Sequence, residues 1–172
     1  MGQDITCLII NKKIDLGNEV VHFEVKDFTF IPFNMSCPRF EGIENYDLVS
    51  DYISHLESEN NFENYPYHRD HDHWEVDIFK MVRDHHIESF IIEHSSEWAD
   101  MPVDYCFMQV LDGKINKNAL VYNESEFARN NFENIKEAKK NFGLNFNWLA
   151  MYDLFHSYPI SDRAYTQLQA KK

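Results

Sequence analysis

Tyr105-Cys106-Phe107-Met108-Gln109-Val110-Leu111-Asp112-Gly113 is the stretch on which the reading of the fold turns. Its first seven residues are rich in β-forming side chains, and Asp-Gly supplies two residues that tolerate the positive φ of a tight hairpin turn. Ala119 to Tyr122 offers a returning strand, so the spacing predicts a hairpin and, with it, antiparallel pairing.

Both flanks of this hairpin change period. On the C-terminal side, Asn123 is placed to cap a helix with Glu126 three residues on, and Tyr122 and Phe127 fit a hydrophobic staple. Gly143 stands where a left-handed residue ends such a helix. Asn145 is then placed to cap a further helix carrying Phe146, Leu149, Tyr152 and Phe155, ended by Pro159. On the N-terminal side, Ile87 to Glu93 is a short apolar run read as a strand.

Earlier in the chain, residues 5 to 10 and 20 to 25 are β-rich runs separated by turn-like Asn11-Lys12-Lys13 and Gly17-Asn18, which predicts a hairpin or two neighbouring strands. Phe28, Phe30, Ile31 and Phe33 make a third strand, closed around Pro32 and Pro38. From Tyr46, Val49, Tyr52, Ile53 and Leu56 form one helical stripe with Asp47, Asp51 and Ser54 pointing away. Trp74, Ile78, Phe79, Met81 and Val82 form a second stripe, opposite Asp77, Lys80, Arg83 and Asp84. Strands and helices come in blocks, so the expected fold is α+β: a single domain over residues 1–172 with a mainly antiparallel sheet and several amphipathic helices.

Composition agrees with a folded domain. The chain has 172 residues, 44% of them hydrophobic and 15% aromatic, with five glycines and five prolines, which excludes disordered and collagen-like classes. A chain of this length closes a core without disulfides. Cys7, Cys37 and Cys106 are odd in number and widely spaced, so buried reduced thiols are expected rather than a disulfide framework or a zinc knuckle. No apolar run reaches the roughly 18 residues needed to span a bilayer, and a cytoplasmic protein is expected. Met1-Gly2-Gln3-Asp4-Ile5-Thr6 fits the loose N-myristoylation pattern, but no polybasic patch follows to supply the second membrane signal.

The net charge is -13. Residues 41 to 104 hold 17 acids and 3 bases, a net of -14, and seven of the nine histidines. Acidity on this scale disfavours direct binding of nucleic acid or of an anionic membrane surface. It suits a basic protein partner: Glu41, Glu44, Asp47, Asp51, Asp70, Asp72, Asp77 and Asp84 are the candidate contacts, and acids one helical turn apart can stand in for phosphates. Such a protein would inhibit a basic, nucleic-acid-binding partner, as an inhibitor, immunity or anti-defence protein does. Protonation of all seven histidines would take the segment from -14 towards -7.

One run carries a different chemistry. His68-Arg69-Asp70-His71-Asp72-His73-Trp74-Glu75 places three imidazoles and three carboxylates within eight residues. His68, His71, His73 and Glu75 are therefore the ligand set for an alternative reading, a metal-dependent hydrolase or nuclease holding a divalent transition metal such as zinc. The leading reading has no cofactor and no catalytic residue, and takes the run as a solvated helix start capped by Asp70 or Asp72. The run departs from the metallo-β-lactamase HxHxDH pattern at Asp70, and the predicted strands exclude the all-helical hydrolases built on a His-Asp pair. No GxGxxG, Walker A, GxSxG or HExxH occurs in the chain. Cys106, inside an apolar strand, reads as core rather than nucleophile. The sequence sets no oligomeric state.

Overall fold

The structure is a computed structural model that describes residues 4–17, 20, 22–33, 38–62, 74–98, 101–122 and 131–148. Strands β1 (Asp4–Ile10), β2 (Phe23–Val25), β3 (Phe28–Phe33), β4 (Phe90–Trp98), β5 (Met101–Leu111) and β6 (Lys114–Ile115) form one six-stranded sheet in the order β2-β3-β1-β4-β5-β6. Every pairing is antiparallel. Helices α1 (Val49–Glu59) and α2 (Trp74–Asp84) cover one face, and α3 (Phe132–Asn141) with residues 142–148 covers the other. This is the α+β architecture expected, with an antiparallel sheet and amphipathic helices.

Strand alternation divides the core into two. Leu8, Ile10, Ile31, Phe33, Phe90, Ile92, Met108 and Val110 face α1 and α2. There Phe79 meets Phe40 and Tyr52 edge-on, at centroid distances of 6.0 and 5.1 Å. Cys7, Ile9, Phe28, Phe30, Ile91 and Phe107 face the opposite way, towards Ile135, Ala138, Phe142, Leu144 and Trp148. Central strands apolar on both sides explain why their sequence runs without polar alternation.

The hairpin forms as the turn residues require. Asp112 and Gly113 sit at φ 48° and 77°, the two positive values of a two-residue turn, and Leu111 pairs with Lys114. The return is shorter than expected: β6 ends at Ile115, and from the predicted 119–122 strand Val121 alone pairs, as a bridge to Phe107. The β6 edge is then occupied by residues 47–49, through Val49 N–H to the Gly113 carbonyl and Ile115 N–H to the Asp47 carbonyl. Helix α3 ends in a Schellman turn at Gly143 (φ 85°), with Gly143 N–H on the Lys140 carbonyl and Leu144 N–H on that of Lys139.

Other expectations are corrected. The 5–10 and 20–25 runs are not neighbours: β1 is central, paired with β3 and β4, while β2 pairs with β3. Pro32 lies inside β3 rather than closing it. It pairs with Cys7 beyond the end of β2, where its missing N–H costs no ladder bond. Helix α1 starts at Val49, so Asp47 precedes it and does not share a helical face with Asp51. Asp77 and Lys80, expected on the outer face of α2, are 3% and 9% exposed, because this helix is wedged into the core on most of its circumference. Residues 123–130 and 149 onwards, with the Asn123 cap and the rest of the stripe predicted there, lie outside the described residues, whereas Asn145 to Asn147, expected to cap and open the last helix, are not helical because their side chains alternate over the sheet. Among the described residues no helix is long and apolar enough to cross a membrane.

Candidate functional site

The acidic stretch 41–59 contains six carboxylates and no Lys or Arg. A turn at Ile43–Asn45, an extended link and α1 carry it along the border of the first helical layer. The buried stripe Val49, Tyr52, Ile53 and Leu56 anchors this border to the core, which leaves Glu41, Glu44, Asp47, Asp51 and Glu59 exposed and Glu57 half-buried. Asp51 in the first turn of α1 is also favoured by the helix dipole.

Not all of that charge is free to act on a partner. Asp47 pairs with Lys117 at 2.5 Å, which holds its carboxyl below the usual range. Glu57 pairs with Arg83, and Asp84 accepts from Lys80 (2.6 Å) and Arg83 (2.7 Å). Glu44 accepts from the Tyr122 hydroxyl, which lowers its own pKa. Desolvation together with this bond pushes Tyr122 up to about 12. Glu41 and Asp51 form no ion pair among the described residues. Of the predicted contacts, Asp77 is withdrawn from any surface by burial, and Asp70 and Asp72 lie outside the described residues.

His68, His71 and His73 also lie outside the described residues. Glu75 is in the first turn of α2, and nothing is described of its side chain. Among the described residues no group of three or more His, Cys, Asp or Glu is arranged to hold a metal ion.

Two buried polar clusters escaped the sequence reading, one on each sheet face. On the face under α1 and α2, Thr6, His94 and Cys106 form a row across β1, β4 and β5 through direct pairings. Thr6 Oγ1 and His94 Nδ1 are hydrogen-bonded at 2.7 Å. Burial pushes His94 down to about 4 against the opposing pull of the Asp104 carboxylate, so it stays a neutral imidazole at physiological pH. It therefore does not join a histidine titration near pH 6, and the swing expected of the acidic segment is smaller by this residue.

On the opposite face Glu93, fully buried in the central strand β4, accepts three hydrogen bonds from three elements. Tyr105 Oη on β5 donates at 2.5 Å, Trp148 Nε1 donates at 2.5 Å, and Lys139 Nζ on α3 completes the set. Burial, and then the carboxylate, raise the Tyr105 phenol well above its ordinary pKa. A buried carboxylate is tolerated only when paired and hydrogen-bonded, and here all the donors converge on it. The sole trace in the sequence is Glu93 itself, an acid directly after the apolar Phe90-Ile91-Ile92, with its partners 12, 46 and 55 residues downstream.

No family model matches the chain, and no curated protein or solved structure is significantly similar to it.

Proposed function

We propose that the chain is a small acidic binding protein of the cytoplasm that occupies a basic, nucleic-acid-binding surface of another protein and so inhibits it. The observation that carries this reading is the 41–59 border: six acids, no Lys or Arg, and, among the described residues, only Asp47 and Glu57 paired to Lys or Arg of the chain itself. An exposed anionic border of this kind costs the folded state self-repulsion and is offset when a complementary cationic surface docks. Glu41, Glu44, Asp51 and Glu59 are the contacts assigned to the partner, with Asp47 secondary because Lys117 must first release it.

The test is co-purification from the native host, followed by titration of the partner at increasing salt and in competition with duplex DNA. Affinity should fall as salt rises. The Glu41→Lys, Asp51→Lys double variant should associate more slowly while keeping its circular dichroism spectrum. A partner whose affinity ignores both salt and the double charge reversal, or that holds DNA unhindered in the complex, would overturn the reading.

A further inference from the structure

Residues 142–148 cross the second face of the sheet with alternating burial. Phe142, Leu144 and Trp148 are buried and Phe146 is partly so, while Gly143, Asn145 and Asn147 are exposed. The N–H groups of Gly143, Leu144 and Asn145 bond back to Lys140, Lys139 and Gly143, and among the described residues no backbone hydrogen bond joins 143–147 to a strand. Side chains hold this segment down. Phe146 lies 5.9 Å from Phe28 and 6.2 Å from Phe30 between centroids, and Lys26 Nζ stands 4.5 Å above the Phe146 ring.

Trp148 makes the farthest attachment. Its ring is 6.1 Å from Phe30 on β3, and its Nε1 reaches Glu93 on β4. Those strands flank β1, so the indole bridges β1 over the rows in which Cys7 pairs with Glu93 and Ile9 pairs with Phe30. Cys7 beneath it has no exposed surface. Closing this cover desolvates a carboxylate and an ammonium, and opening it rehydrates both, which offsets part of the cost of exposing aromatic surface. A chain segment with no ladder bonds, tied to the buried Glu93 carboxylate of the sheet through a single indole N–H, opens at lower free energy than the sheet beneath it.

We propose that residues 142–148 are a latched strap that opens as a unit while the sheet and the α1–α2 layer stay folded, with Glu93 as the catch that receives Trp148 and Lys139. Two thiols on opposite faces report on it. In the full chain carrying Cys37→Ser, Cys7 lies under the strap and Cys106 lies on the face under α1 and α2. Labelling with a disulfide reagent near neutral pH and low urea, followed by peptide mass spectrometry, should modify Cys7 faster than Cys106 and with the weaker urea dependence. Trp148→Phe keeps a ring and Lys139→Met keeps the stem, yet each removes a donor to a charged acceptor, so each should speed Cys7 by about tenfold and leave Cys106 slow. Equal rates with equal urea dependence for the two thiols in the parent chain would overturn the strap, since opening would then be global. A Cys7 rate unchanged in both variants would overturn Glu93 as the catch.

Discussion

Replacing His94 by asparagine tests whether one buried imidazole makes the fold acid-labile. In the folded chain His94 is fully buried and bonded to Thr6, and its pKa falls from 6.5 to about 4. Above pH 6.5 the residue is neutral folded or unfolded and contributes no pH dependence. As pH falls below 6.5 the unfolded chain takes up a proton that the folded chain refuses, so stability declines, and the decline levels off once the folded imidazole also protonates near pH 4. At 1.36 kcal/mol per unit, this window amounts to about 3 kcal/mol. The amide introduced by His94→Asn does not titrate. Any cavity left by the smaller side chain costs the same at every pH and drops out of the comparison. Urea unfolding followed by circular dichroism at intervals from pH 7.5 to 4 gives the parent-minus-variant stability, which should shrink by about 3 kcal/mol across the window. Parallel pH profiles for the two proteins would mean that His94 does not make the fold acid-labile.

Three further outcomes are expected. Gly113→Ala should cost about 1 kcal/mol in urea unfolding, purely from backbone strain at positive φ, because a Cβ there meets no atom within 4 Å. Phe79→Ala should cost about 3–5 kcal/mol, since it empties the space between Phe40 and Tyr52 in a fully buried site. For His68, His71 and His73, elemental analysis of the dialysed protein should find transition metal well below stoichiometric, and their joint replacement by asparagine should shift stability by no more than about 0.5 kcal/mol. Stoichiometric metal that survives dialysis and is lost in that variant would make the run a metal centre.

What was legible in the sequence is what depends on neighbours along the chain. Asp112-Gly113 announces its turn because few residues accept two positive φ values in succession, and Gly143 marks the end of α3 for the same reason. The α1 stripe is legible because one face is wet. Helix α2 misled at Asp77 and Lys80, since a helix packed on most sides has no outer face for a periodic reading to find. Strand order could not be read either: nothing local says that residues 5–10 pair with 28–33 and 90–98 rather than with 20–25. The candidate site divides along the same line. Exposed acids at 41–59 follow from composition, whereas the charge lost to Lys117 and Arg83, and the roles of Glu93 and His94, arise from contacts between residues far apart in sequence.

A sheet with two open margins is a template on which a second copy can crystallise into fibrils, and this one closes part of each. Residues 47–49 lie along β6 and consume the outward-facing Gly113 carbonyl and Ile115 N–H. On the far side, β3 runs past the end of β2, and there Pro32 has no N–H to offer an incoming strand. One proline and one short extended link thus withhold part of each margin from strand pairing, independently of the charge on the surface.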